Sequence, residues 1–274
     1  MLDRLVPKHE INGQQIYYED SGGEGLPVVL SHGLLMDHEM FAPQVDALRS
    51  KYRVITWDER CHGLTQSTSD PFSYWDSADD LAGLLDHLGI ERAVLGGMSQ
   101  GGFVSLRFAL RHPQRVHALV FFDSQAGPED PDKAETYEVM LDVWEADGLT
   151  DPIAETVAAI IFGSDWPGRG PWIEKWRHKP RALVRQSFNP LVGREDIHDR
   201  LGEIAAPALV IHGTVDNAID MELAERLCSG LPDCRGLVRV EGAGHSANLT
   251  HPEPVNRALG HFLGEVALTP AGKS

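Results

Sequence analysis

Gly96-Gly97-Met98-Ser99-Gln100-Gly101-Gly102 follows directly on the apolar run Ala93-Val94-Leu95. Ser99 has a glycine two before it, Gly97, and a glycine two after it, Gly101, so the stretch fits G-x-S-x-G. A strand before the serine and a helix after it account for that symmetry. In a sharp strand-to-helix turn the residues two before and two after the apex crowd each other, and only small ones fit. The strained apex lifts the serine hydroxyl clear of the sheet. It also sets the first N–H groups of the helix beside the hydroxyl, where negative charge is stabilised. Gly102 lets that helix pack closely.

Working outward, the same alternation recurs. Pro27–Leu30, Arg53–Trp57, Val116–Phe122, Ala208–Ile211 and Leu237–Val240 are short, nearly continuous apolar runs, each ending in turn residues. Runs of this kind are strands buried on both faces. Helical patterns such as Ser77–Leu88 and Gly102–Arg111 separate several of them. Strands alternating with helices predict an α/β fold: a mostly parallel central sheet with helices on both faces. The stretch around Ile16-Tyr17-Tyr18 is expected to add an antiparallel edge strand. From about Gln125 to Arg200 no strand pattern appears, and four of the six tryptophans fall there. This predicts a helical cap, residues 125–200, inserted into a core made of residues 1–124 and 201–274.

In open α/β sheets, reactive groups gather outside the carboxyl ends of the strands. Those ends carry His32-Gly33, Asp58, Ser99, Asp123, Asp216 and, after the last run, His245. A serine hydroxyl needs a base within hydrogen-bond reach. Of thirteen histidines, His245 alone combines a glycine-flanked loop (Glu241-Gly242-Ala243-Gly244-His245), a late position and a preceding strand. His9, His38, His87, His117, His198 and His261 are expected in solvent. His212 is assigned a structural role at its strand end, and His251 opens the final helix. The base needs a carboxylate to fix its tautomer; Asp216 is the candidate and Asp123 its rival, with Asp220 read as a helix N-cap. An oxyanion needs aimed N–H donors. The backbone N–H groups of Gln100 and of Leu34, beside His32-Gly33, are expected to supply them.

These residues bring a family into view. The chain resembles the α/β-hydrolase superfamily over nearly its whole length, in the order Ser99…Asp216…His245 and in the His32-Gly33 oxyanion motif. Asp58-Glu59-Arg60-Cys61-His62-Gly63 looks like the family's D-x-R-G-x-G loop, with Cys61 where glycine is usual. The resemblance implies a serine hydrolase of the esterase or enol-lactonase kind, acting on a small-molecule ester or lactone through an acyl-enzyme. C–C bond hydrolases and perhydrolases share the triad, and a slow-turnover small-ligand receptor is a rival of another class. A serine at the elbow argues against the branches that carry aspartate there. Trp144, Phe162, Trp166 and Trp172 of the insertion are expected to line the substrate pocket.

Composition narrows the partners. Lys and Arg number 24 against 41 Asp and Glu, a formal net charge of −17. That argues against nucleic acid and against an electrostatic hold on anionic membrane. No run approaches the ~18 apolar residues of a membrane helix, and the N-terminal MLDRLVPKHE has no signal-like apolar stretch. With no H-E-x-x-H, no paired Cys/His spacing and no phosphate-binding glycine motif, no metal or cofactor is expected. Three scattered cysteines fit a reducing, cytoplasmic setting; Cys228 and Cys234 could pair, but separate thiols are the expectation. The tail TPAGKS (269–274) is expected to fray.

Overall fold

A computed structural model describes residues 8–68 and 70–268; the tail expected to fray lies outside them. Eight strands form one sheet: β1 (Lys8–Ile11), β2 (Gln14–Asp20), β3 (Pro27–Ser31), β4 (Arg53–Trp57), β5 (Ala93–Met98), β6 (Val116–Phe122), β7 (Ala208–Gly213) and β8 (Cys234–Val240). Their spatial order is β1-β2-β4-β3-β5-β6-β7-β8. β3 to β8 run parallel, while β2 is antiparallel to both β1 and β4. The Ile16-Tyr17-Tyr18 strand is therefore antiparallel as expected, but β1 outside it forms the true edge. The sequence Lys8-His9-Glu10-Ile11 is too polar and too short to announce a strand, and forms one by pairing with β2.

The central strands are buried on both faces, every residue of β5 and β7 included. Helices α1 (Ala42–Leu48), α2 (Tyr74–His87) and α3 (Gln100–Arg111) follow β3, β4 and β5. Four helices, α4 (Pro131–Asp147), α5 (Asp151–Phe162), α6 (Arg169–His178) and α7 (Arg181–Val192), lie between β6 and β7. The chain ends with α8 (Met221–Gly230), α9 (Ala247–Thr250) and α10 (Pro252–Ala267). α10 packs on α1 and on β6 to β8, while α2 packs on α3. Among the described residues no helix is long and apolar enough to cross a membrane.

Register sets up the site. Ser31 pairs with both Trp57 and Gly97, Met98 with Phe122, Phe122 with Ile211, and Gly213 with Val240. The parallel strands thus stop at one level, and the residues after those stops share one rim.

Cys228 and Cys234 are joined in a disulfide across the turn from α8 to β8, which corrects the expectation of separate thiols. That turn brings the two Cα atoms to 5.5 Å, within bridging range. The cysteine argument for a reducing compartment falls with it. Asp220 stands at the N-cap of α8 without a side-chain capping bond.

Candidate active site

Ser99 sits between β5 and α3 with φ 48° and ψ −108°, a conformation most side chains avoid. The flanking glycines make it attainable. A Cβ on Gly97 would lie 2.0 Å from the Gly101 carbonyl carbon, and one on Gly101 would lie 2.0 Å from the Ser31 carbonyl oxygen. Two hydrogen bonds hold the apex: Ser99 N–H donates to Phe122 O at 2.9 Å, and the Ser124 hydroxyl donates to Ser99 O at 2.9 Å.

His245 reaches the same rim on the loop after β8. Its Nδ1 lies 2.8 Å from Asp216 Oδ2. The other Asp216 oxygen accepts the N–H groups of Ala218 at 2.8 Å and Ile219 at 3.0 Å, which fixes the carboxylate. Burial works to raise its pKa, but the charge and hydrogen bond of His245 outweigh it and hold it below the usual carboxylate range. Asp123, the rival, makes no bond to His245. Its two oxygens accept Gly213 N–H at 2.8 Å and Ala247 N–H at 3.0 Å. Burial first, and then the Asp216 charge, push its pKa well up, and its two accepted N–H groups tie the loops together. His212 fills its structural role, its Nε2 2.8 Å from Ile219 O.

Ser99, His245 and Leu34 line one pocket, and Asp216 stands behind His245. Neither Leu34 N–H nor Gln100 N–H meets a protein acceptor among the described residues. Gly33 must be small, because a Cβ there would lie 2.4 Å from Met98 Sδ. The Gln100 side chain is tied down, donating to Glu59 Oε2 at 3.1 Å and accepting from the Tyr74 hydroxyl at 3.3 Å. Burial raises the Glu59 pKa well above the usual carboxylate range, the Gln100 hydrogen bond opposing it.

The loop after β4 braces this edge. Asp58 accepts from His38 N–H (2.7 Å), His38 Nδ1 (2.8 Å) and Leu64 N–H (2.7 Å). His38 is therefore buried, not in solvent as its sequence position suggested, because a buried carboxylate needs its donors. Cys61 adopts φ 62°, the left-handed conformation that glycine fills most easily. Two buried groups, Asp37-His38-Asp58 and Asp123-His212-Asp216, have the ligand types for a metal, yet protein donors already occupy the carboxylates at their centres.

The pocket wall differs from expectation. Trp144, Phe162, Trp166 and Trp172 do not reach it. Trp144 is buried on α4, and Phe162 is packed against Trp166, Trp172 and Trp176, its ring stacked on Trp176 at 5.8 Å. Aromatic faces turned to one another leave the wall to Tyr137, Met140, Val157, Ile161, Phe188 and Leu191. Sequence reasoning also missed Glu129 and Arg194, which line the pocket together. They are far apart in the chain, so no local pattern could pair them.

The sequence profile of the alpha/beta hydrolase fold matches residues 27–166. The chain belongs to the α/β-hydrolase family. A relative from Caulobacter sp. (strain K31), provisionally named carbamate hydrolase RutD, is 30% identical over 92% of this chain and 97% of its own. A 3-oxoadipate enol-lactonase from Acinetobacter baylyi is 26% identical, over 92% of this chain and 94% of its own. Among solved structures, an esterase from Thermogutta terrifontis superposes with a TM-score of 0.84 at 30% identity, covering 96% of this chain and 98% of its own. The enol-lactonase from Burkholderia xenovorans LB400 superposes with a TM-score of 0.84 at 27% identity, covering 94% and 100%.

Proposed function

We propose that this α/β hydrolase cleaves a carboxylic ester or lactone of a small molecule through an acyl-enzyme. The observation that carries the reading is the strained Ser99 apex sharing a pocket with a His245 whose Nδ1 is held by Asp216. With Nδ1–H donated to the carboxylate, Nε2 is left as the acceptor. Ser99 Oγ attacks the carbonyl carbon while its proton passes to His245 Nε2. The oxyanion is held by the N–H groups of Leu34 and Gln100. As the carbon–oxygen bond breaks, the imidazolium returns the proton to the leaving alkoxide. Water then attacks the acyl-enzyme, His245 taking its proton, and the carboxylic acid leaves with Ser99 restored. Helices α4 to α7, within residues 125–200, serve as the cap that walls the pocket from water.

An esterase and enol-lactonases among the related proteins support this choice; a carbamate presents the same carbonyl to the same serine, so it belongs in the test. Purified protein is assayed against p-nitrophenyl esters, lactones, a carbamate and a diketone, and treated with a fluorophosphonate. Esters or lactones should be cleaved fastest, with the label on Ser99. Ser99→Ala should lose the label and about 10⁴-fold or more in kcat while staying folded. A label on Ser31 or Ser124 would overturn the assignment, as would ligand-dependent stabilisation without turnover.

A further inference from the structure

Five polar side chains interrupt the otherwise apolar pocket: Ser99, His245, Tyr137, Glu129 and Arg194. The last two form an ion pair, Arg194 Nη1 to Glu129 Oε2 at 2.9 Å, with side chains 2% and 9% exposed. Glu129 lies just before α4 and Arg194 just after α7, so the pair joins the two ends of the insertion. Arg194 is spent in other ways too. Its Nε donates to Gly127 O at 2.9 Å, Nη1 to Leu191 O at 2.7 Å and Nη2 to Pro128 O at 3.1 Å. Four of about five N–H donors are thereby engaged within the protein. The guanidinium also lies over the Phe103 ring, 4.4 Å from its centre, and Phe103 is one helical turn after Ser99.

An arginine beside a nucleophile invites the reading that it receives a substrate carboxylate. The geometry points the other way. Its charge is cancelled by Glu129, its donors face protein oxygens and its plane is covered. A second carboxylate entering here would meet the Glu129 charge without gaining a free counter-charge. Tyr137 differs: it lines the same pocket, and its hydroxyl makes no hydrogen bond among the described residues. Burial and the nearby Glu129 charge push its pKa up to about 12, so it remains a neutral donor.

We propose that Glu129 is a specificity-determining residue: by neutralising Arg194 it makes the pocket select uncharged, largely apolar acyl groups and exclude carboxylate-bearing ones, with Tyr137 as the polar handle. This rests on the ester-hydrolase reading above. Exclusion of this kind is selection by an unfavourable pairing as much as by a favourable one.

The test compares p-nitrophenyl hexanoate with mono-p-nitrophenyl adipate, acyl groups of equal chain length that end in a methyl group and in a carboxylate. The parent should favour the hexanoate by about tenfold or more in kcat/KM. Glu129→Gln should move that ratio about tenfold toward the adipate, because Arg194 is then uncompensated. Should that variant fail to fold, Arg194→Met leaves the Glu129 charge uncompensated and should move the ratio about tenfold further toward the hexanoate, an unchanged ratio overturning the proposal. A parent that cleaves the adipate ester as well as the hexanoate ester overturns the proposal, as does a folded Glu129→Gln protein with an unchanged ratio. Failure of the hydrolase reading shows separately: neither ester is cleaved and Ser99 takes no phosphonate. Binding of methyl hexanoate and monomethyl adipate then reads the pocket directly, tighter binding of the neutral ester supporting the role of Glu129 and tighter binding of the anion overturning it.

Discussion

Asp216 and Asp123 stand at the same rim, and burial costs them unequally. Two carboxylates this close cannot both ionise cheaply, so the one with the better partner keeps the charge. Asp216 has His245; Asp123 has only backbone N–H groups. Asp216→Asn should therefore lower kcat by roughly 10³ to 10⁴-fold, because the amide favours the wrong histidine tautomer. Asp123→Asn should act on stability instead, lowering the melting temperature by an amount equivalent to about 1–3 kcal/mol, since an amide NH₂ must face Gly213 N–H or Ala247 N–H. Steady-state kinetics and thermal melts of the two variants check this, and a larger kinetic loss in Asp123→Asn would reverse the roles. At this scale the sequence was most legible where backbone strain and small size coincide. Gly97, Ser99 and Gly101 announce a turn because few other residues can make it. His38 was misread because its burial depends on Asp58, twenty residues away, and no local pattern carries that pairing.

Between elements, α6 is fastened to the core by cations at its carboxyl end. Lys175 reaches Asp37 at 2.6 Å and Glu39 at 2.7 Å, while Lys179, just past the helix, donates to Cys61 O. The same strand-end loop that turns through the left-handed Cys61 is thus gripped from the insertion side. Burial lowers the Lys179 pKa from 10.5 to about 8, the nearby Cys61 opposing it weakly. The sign follows. Below about pH 8 both folded and unfolded chains carry the proton, and the folded chain bears the full cost of a buried ammonium. Between about pH 8 and 10.5 the unfolded chain still binds a proton that the folded one has released, so stability rises with pH across that window. Relative to Lys179→Met, the parent should gain melting temperature between pH 7.5 and 9.5. Parallel curves for the two proteins would show that this lysine titrates as if in water. The elements themselves were read well where the apolar runs were continuous, as in β5 and β7, buried along their whole length. β1 escaped because its stability is borrowed from β2, and the Cys228–Cys234 bridge because closeness across a turn is a fact of the fold.

For the molecule as a whole, residues of α4, α5 and α7 and of the strand-end loops line the pocket together. The Trp176 indole N–H donates to Leu35 O at 2.7 Å, next to the proposed oxyanion donor Leu34, and Phe162 stacks on the Trp176 ring. Trp166, Trp172 and Trp176 thus pack around Phe162, and Trp176 ties that cluster to the loop of the proposed oxyanion donor. The sequence located these residues in one segment, but which face each presents depends on how α4 to α7 pack, and a cluster that satisfies itself has nothing left for the pocket. Two kinds of variant should therefore part company. Trp172→Ala removes packing from the cluster and should cost about 3 kcal/mol of stability, yet leave the kcat/KM order of neutral esters from acetate to octanoate as it is. Phe188→Ala opens the pocket wall itself and should shift that order toward longer acyl chains by about tenfold. Kinetics on the ester series, with melts on the same preparations, separate the two. If Trp172→Ala reorders the series while Phe188→Ala leaves it alone, the aromatic cluster faces the substrate and the aliphatic wall does not select it.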